Sequence, residues 1–356
     1  MTQALRIGIV GIGRMGWVHA THLLELQREG SCELVGVVDT DPARLTRFVV
    51  ETGYAGETFT SLEDYLAANV CHATMVVTPT VHHGPHAMAL VRAGHRVLLE
   101  KPLTGTLAGD RACCEELDRD YPNALMLAFQ RRYDAALSWG RDLMQQGAIG
   151  RVFKIYSALE DSGSPPEGYQ SDGILPDMSV HNVDEIIWLA GAMPDRALVI
   201  GSVLHNRHVA SCKEDFDDAM LYLWFGDQML GQVQVTRNHV SGYRVETAIY
   251  GDQGQIQIGH FVQNPNEIVV EVFGRRGKNE PISRKVFPGG GGGPDSPEFV
   301  DRFGPAYKAE AAAFVECCRL GSNFPMTHRD GLRAQRVIAS GMNCVHTRDH
   351  AAPVVD

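Results

Sequence analysis

The chain has 356 residues, with 32 Lys+Arg against 43 Asp+Glu and a formal net charge of −11. Its 44% hydrophobic and 21% charged residues suit an ordinary folded protein of about two domains. The acidic balance argues against a nucleic-acid partner, which needs a basic face, and no apolar run approaches the roughly 18–20 residues of a membrane span. The first strand-like run starts at Leu5, leaving no room for a signal peptide. Eight cysteines include the adjacent pairs Cys113–Cys114 and Cys317–Cys318 and no CxxC spacing, so they read as thiols of a reducing, cytoplasmic compartment.

The first third alternates two periods. Leu5–Val10 is a short apolar run, 13–29 an amphipathic helix and Glu33–Asp39 a valine-rich strand. Asp41-Pro42 opens a helix, with Asp as N-cap and Pro in the first turn, and Ser61-Leu62-Glu63-Asp64 is close to a capping box. Strands follow at 73–77, 96–100 and 124–129, with helices at 85–93 and 106–121 between them. Strands alternating with helices of about 10–15 residues imply a parallel sheet covered on both faces.

The pattern changes after residue 130. A helix at 134–146 leads to a strand at 152–158, then to a polar Gly/Pro-rich loop at 161–173 and a helix at 178–190. Closely spaced strands at 197–204, 218–225, 229–236, 244–250, 254–258 and 267–273 predict an antiparallel sheet. Gly289–Gly293 lacks the Lys-Ser/Thr of a P-loop and reads as a surface loop. Helices at 305–320 and 330–346 close the chain. The expected fold is α/β: a doubly wound dinucleotide-binding domain over 1–130, then an α+β domain over 131–356 with a large open, mostly antiparallel sheet.

Three motifs carry chemistry. Gly11-Ile12-Gly13-Arg14-Met15-Gly16 follows a strand and opens a helix, and Asp39 closes the next strand about 20 positions on, as the dinucleotide fingerprint requires. Gly11 allows the tight turn, Gly13 lets the backbone approach a diphosphate, and Gly16 lets helix and strand pack closely. Asp39 accepts from ribose hydroxyls and repels a 2′-phosphate, which points to NAD rather than NADP, although Arg44 beyond Thr40 offers a cation. Glu100-Lys101-Pro102 ends a parallel strand, where ligands of such sheets bind; on spacing alone Lys101 is equally a solvated strand-end lysine. Asp177 and His181 stand four apart on a helix and share a face, suiting them to proton transfer, or Asp177 is a cap and His181 a buried histidine. Arg131, Arg237, His239 and Tyr243 are further candidates for lining a substrate pocket. His82, His83 and His86 lie close together, but no cysteine or carboxylate completes a metal set, and no metal is expected.

Taken together, these motifs resemble the glucose–fructose oxidoreductase/inositol dehydrogenase (Gfo/Idh/MocA) family. Thr78-Pro79 followed by His83 is similar to that family's TPxxxH turn at the nicotinamide end of the cofactor. Gln130-Arg131-Arg132-Tyr133-Asp134 resembles its RR(F/Y)D segment, and Tyr307-Lys308-Ala309-Glu310 and Asp330-Gly331 resemble its C-terminal helices. The resemblance implies a Rossmann domain binding NAD through the glycine loop, Asp39, Thr78, Pro79, His83, Glu100 and Lys101. It also implies catalysis by Lys101, Asp177 and His181 on a sugar or cyclic polyol, and a homodimer or homotetramer. The RRYD segment and the helix around Asp177 are most similar to inositol 2-dehydrogenases. Two positions depart from those enzymes: Asp172-Gly173 stands in place of Gly-Gly, and Ala158-Leu159 in place of Arg-Asp after the strand. An aldose, anhydrosugar or keto-sugar therefore stays open as substrate, as does a non-catalytic NAD- and sugar-binding regulator.

Overall fold

The computed structural model describes residues 4–163, 173–205, 215–259, 266–275, 277, 279–290, 297–347 and 352–354. Compactness divides the chain into two units, Met1–Gln130 with Tyr307–Leu332 and Arg131–Ala306 with Arg333–Asp356.

The first unit runs β1 (Leu5–Val10), α1 (Arg14–Arg28), β2 (Cys32–Val38), α2 (Pro42–Thr52), β3 (Glu57–Phe59), α3 (Leu62–Ala68), β4 (Ala73–Val76), α4 (His83–Arg92), β5 (Arg96–Leu99), α5 (Leu107–Asp120) and β6 (Leu125–Leu127). A 3₁₀ turn, Thr80–His82, precedes α4. The six strands pair in parallel in the order β3-β2-β1-β4-β5-β6, the doubly wound dinucleotide order, whose direction reverses between β1 and β4. Ile7, Ile9, Met75, Leu98 and Leu99 have no exposed surface, as expected of parallel strands covered on both faces. The helix starts follow local chemistry: Asp41 accepts from the Ala43 N–H, Ser61 from Asp64, and Thr106 from Gly109. The short edge strand β3 was not predicted, since three residues carry no readable period.

The second unit contains α6 (Ala135–Gln145), β7 (Val152–Glu160), α7 (Val180–Ala190), β8 (Arg196–Ser202), β9 (Asp218–Phe225), β10 (Met229–Thr236), β11 (Arg244–Gly251), β12 (Gly254–Ile258), β13 (Glu267–Gly274) and β14 (Pro281–Pro288). Two long helices, α8 (Glu298–Leu320) and α9 (His328–Thr347), follow, then β15 (Ala352–Pro353); the division between the units falls inside both helices, in α8 one residue past Pro305. The nine strands order as β14-β13-β12-β11-β7-β10-β9-β8-β15. Among the described residues only β7 and β10 pair in parallel, so the sheet is mostly antiparallel. Ala219, Leu221 and Leu223 of β9 are buried while Met220, Tyr222 and Trp224 alternate with them half-exposed. α6, α7 and α9 pack on the buried face.

The strand expected to stop at 158 runs to Glu160, because its last residues pair with both β10 and β11. The strand β14 was missed: it is an edge strand bounded by prolines, with Ile282, Arg284 and Lys285 facing solvent and no alternation to read. The helix expected from 305 begins at Glu298. Positions 164–172 of the expected polar loop and 291–294 of the glycine-rich loop lie outside the described residues. Among the described residues, no helix is long and apolar enough to cross a membrane.

Packing in the first unit turns on Tyr65, which is 1% exposed. Its ring lies against Gly8 of β1 and Gly36 of β2, where a Cβ would come 2.0 Å from its hydroxyl and 2.7 Å from its ring. The Tyr65 hydroxyl is 2.8 Å from the Thr74 hydroxyl, which in turn is 2.8 Å from Nδ1 of His95. Burial, helped by the nearby His72, lowers the His95 pKa to about 4. The native state thus holds His95 neutral, while the unfolded chain protonates it near pH 6.5. No stability is lost above that pH; below it the unfolded state gains a proton the native state refuses, until the native pKa is reached. His95→Asn should therefore lose less stability than the parent between pH 6.5 and about 4, by up to about 1.4 kcal/mol per pH unit. Urea midpoints of both proteins across that range test this, and parallel curves would refute it.

Candidate active site

The glycine loop follows β1. Gly11 has φ 95°, donates its N–H to Val38 O, and lies so close to β4 that a Cβ would meet Val77 O at 2.6 Å. A Cβ on Gly16 would meet Gly11 O at 2.0 Å, whereas the Cβ position of Gly13 has no atom within 4 Å. Among the described residues, no side chain caps α1 and no acid stands in its first turn, at Arg14 and Met15. The first N–H groups and the positive end of the helix dipole therefore face the crevice where the strand order reverses. This arrangement fits a dinucleotide diphosphate.

Asp39, 7% exposed, does more than the spacing indicated. Its Oδ2 accepts the Ile12 N–H at 2.8 Å and its Oδ1 the Asp41 N–H at 2.9 Å, so the carboxylate that would bind ribose also fixes the glycine loop and the start of α2. Thr40 is exposed, and the exposed Arg44 guanidinium lies 3.8 Å from Asp39 and 3.5 Å from Asp41.

The strand β5 delivers Glu100 and the half-buried Lys101. Glu100 accepts the Lys101 N–H on Oε2, and its Oε1 is 2.8 Å from Nε2 of the fully buried His19 on α1. Burial alone would raise the Glu100 pKa; the His19 contact and the Lys101 charge outweigh it and hold the carboxyl below its usual value. On α8, Glu310 is pushed well above the carboxylate range by burial and by the Glu100 charge. His83, expected at the nicotinamide, is 2% exposed, and its two ring nitrogens lie 2.7 Å from the carbonyl oxygens of Pro102 and Thr78. It thus braces the Thr78-Pro79 turn against the loop that follows Lys101. Burial lowers its pKa against the pull of those carbonyls.

In the second unit, Asp177 sits in a π-helical run, Leu175–Ser179, and His181 in the first turn of α7. The expected single α-helix is thus a π turn continued by an α-helix, a geometry frequent at functional sites; both side chains are half-buried. Arg237, 4% exposed, donates to Asp215 Oδ2 at 3.0 Å and lies 3.9 Å from Asp177 Oδ2. Arg131 goes elsewhere: 2% exposed, it donates to Glu185 Oε2 at 2.7 Å, and Glu185 also accepts from Thr247. Tyr243 is half-buried, and burial raises its hydroxyl pKa against the nearby Arg131. His239 lies 3.6 Å from Glu160. Of the two departures, Ala158-Leu159 is buried inside β7, Gly173 opens the π turn, and Asp172 lies outside the described residues. His82 and His86 stack ring on ring at 5.3 Å. Asp215 and Glu185 had no sequence signal, since nothing local ties them to Arg237 or Arg131.

Residues 5–121 match the model of an oxidoreductase family with an NAD-binding Rossmann fold, and residues 141–351 match that family's C-terminal alpha/beta domain. The chain is similar to the scyllo-inositol 2-dehydrogenase (NAD(+)) of Bacillus subtilis, with 27% identity over 96% of both chains. It is 29% identical to the myo-inositol dehydrogenase Hyg17 of Streptomyces leeuwenhoekii, over 95% of this chain and 98% of that one. Among solved structures, the scyllo-inositol dehydrogenase of Lactobacillus casei superposes with a TM-score of 0.81 at 26% identity, covering 100% of both chains.

Because Asp39 pins the loop and stands at the end of β2, where the dinucleotide fingerprint puts its ribose acceptor, Asp39→Ala should do two things. It should weaken NAD binding by on the order of 10-fold or more, from the loss of a buried acceptor, and narrow the gap between NAD and NADP. Fluorescence titration with each cofactor checks both; unchanged NAD affinity would mean that the loop is fixed without Asp39.

Proposed function

The chain belongs to the Gfo/Idh/MocA oxidoreductase family, and from that premise we propose that it is an NAD-dependent dehydrogenase of a cyclic polyol. The reaction converts a secondary ring hydroxyl of a myo- or scyllo-inositol to the ketone. The observation that carries the reading is the presence of three ionisable side chains, Lys101, Asp177 and His181, in a chain whose glycine loop fits the cofactor. A regulator that only binds NAD and sugar has no need of them. Near-full-length similarity to inositol dehydrogenases supports the substrate class.

When bound, the nicotinamide supplies the hydride acceptor. Asp177 accepts a hydrogen bond from the substrate hydroxyl and orients it, His181 removes its proton, and the Lys101 ammonium stabilises the developing alkoxide. Glu100 and His83 hold the Lys101 loop in place. Arg237 and Tyr243 belong to the substrate side, while Arg131 supports it from beneath through Glu185. The first 130 residues, with Tyr307–Leu332, form the cofactor domain and the rest the substrate and assembly domain, in the reducing cytoplasm, a setting supported by the free thiols of Cys113, Cys114, Cys317 and Cys318.

Reduced nicotinamide should form from NAD with myo- or scyllo-inositol. Lys101→Ala and His181→Ala should each cut turnover by on the order of 10²–10⁴-fold and spare NAD affinity. Turnover only on an aldose or anhydrosugar would keep the mechanism and change the substrate; normal turnover in both variants would sink it.

The sheet face away from α6, α7 and α9 carries Tyr156, Ile200, Met220, Tyr222 and Trp224 side by side. Uncovered apolar sheet faces of this kind mark association surfaces, and we infer that a second copy covers it in a homodimer or homotetramer. Trp224→Glu should shift the light-scattering mass of the parent assembly toward a monomer; a monomeric parent would refute the assembly.

A further inference from the structure

We infer that His19 of α1 is a positioning residue for Lys101, acting through the Glu100 carboxylate. The inference rests on the dehydrogenase reading above.

His19 stands inside an amphipathic helix, three residues past Gly16, the last glycine of the loop. It has no exposed surface, and a polar ring is costly to bury without a partner. Its ring meets that of Tyr307 on α8 edge-on, with centroids 5.6 Å apart, and its Nε2 lies 2.8 Å from Glu100 Oε1. Glu100, held below the usual carboxylate range, is an anion that can only accept, so the proton of this contact sits on Nε2. The other oxygen of Glu100 accepts the Lys101 N–H at 3.0 Å. One carboxylate is thus held between a helix side chain and the peptide of the lysine.

Glu100 needs that donor, because its surroundings pull in opposite directions. Burial opposes its charge, and Glu310 of α8, whose own pKa is raised by burial and by Glu100, is a second carboxyl in the same neighbourhood. Of the influences that favour the charge, the His19 hydrogen bond is the largest, ahead of Lys101 and of His83 on α4. Attraction between charges is mutual, so the Glu100 anion favours in turn the Lys101 ammonium that stabilises the alkoxide. Without the His19 donor, burial and Glu310 would act on Glu100 with their chief opponent gone. The carboxyl would take a proton more readily, and Lys101 would lose both an anionic neighbour and a fixed acceptor for its peptide. The glycine loop has other supports, since Gly11 donates to Val38 O and Ile12 to Asp39 Oδ2.

His19→Leu should therefore lower kcat on the polyol by on the order of 10–10²-fold, the loss expected of a hydrogen bond to a charged group, and leave NAD affinity within about 2-fold. His19→Gln keeps a donor at Nε2 and drops Nδ1, which has no hydrogen-bond partner among the described residues; it should restore kcat to within about 3-fold of the parent. In a Glu100→Gln background, His19→Leu should change kcat by less than about 2-fold, because the linkage runs through the carboxylate. Parental kcat in His19→Leu, a Gln variant no better than the Leu variant, or effects that multiply in the Glu100→Gln background would each overturn the inference. So would an NAD affinity that falls as far as kcat, which would assign His19 to the glycine loop instead. Should His19→Leu fail to fold, His19→Asn, whose shorter side chain stops short of Glu100, should show the same kcat loss, and parental kcat there would equally overturn it. Lys101→Ala, assayed alongside, separates the levels: parental turnover in it refutes the dehydrogenase reading, whereas a crippled Lys101→Ala beside a parental His19→Leu refutes the role of His19 alone.

Discussion

The first unit depends on one buried carboxylate. Glu100 at the end of β5 holds the Lys101 peptide with one oxygen and meets His19 of α1 with the other. The helix that presents the glycine loop and the strand that presents the lysine are thereby joined through a single side chain. Burying that charge is expensive, and the adjacent His19 and Lys101 offset the cost. The same charge acts on Glu310 of α8, whose pKa is raised well above the usual carboxylate range by its burial and by Glu100. Asp39 repeats the design at the end of β2, where one carboxylate holds both the glycine loop and the start of α2. In both cases the segment after a strand end is fixed by an anion already engaged with the backbone.

The second unit distributes its charges differently. Arg131 and Glu185 form a pair with 2% and 1% of their side chains exposed, extended by the Thr247 hydroxyl. Ser157 accepts from Asn182 in the same layer, between β7 and α7. These are polar pairs inside the core, between β7 and α7, and they fix how α7 seats on the sheet. Arg237 is equally buried, yet it is shared between Asp215 and the half-buried Asp177. Two arginines that look alike in sequence thus do unlike work, one paired with Glu185 inside the core and one facing two carboxylates. Their local sequences do not distinguish them, because what differs is which carboxylate the fold brings opposite each.

Much of the molecule was legible from the chain alone. The glycines, Asp39, the capping residues Asp41 and Ser61, the parallel strands and most of the antiparallel ones rest on contacts within a few residues or on alternation within one strand, and both leave a trace in sequence. Lys101, Asp177 and His181 stand out by motif, and the structure shows what holds the Lys101 peptide. The elements that were missed have physical reasons. β14 is an exposed edge strand without alternation, β3 is too short to show a period, and the π run around Asp177 follows Ile174, whose N–H is held by Asp215, 41 positions away.

Propensity, periodicity and the needs of a tight turn act locally, so the chain alone determined the order of elements and the glycine loop of the dinucleotide-binding fold. Tertiary structure alone decided that Arg131 meets Glu185 across 54 positions, that Glu100 meets His19 across 81 and that Arg237 meets Asp215 across 22. Pairings of buried charge are chosen by desolvation: each ionised group accepts whichever opposite charge or donor the packed sheet and helices bring within about 3 Å. That choice exists only once the chain has closed its loops.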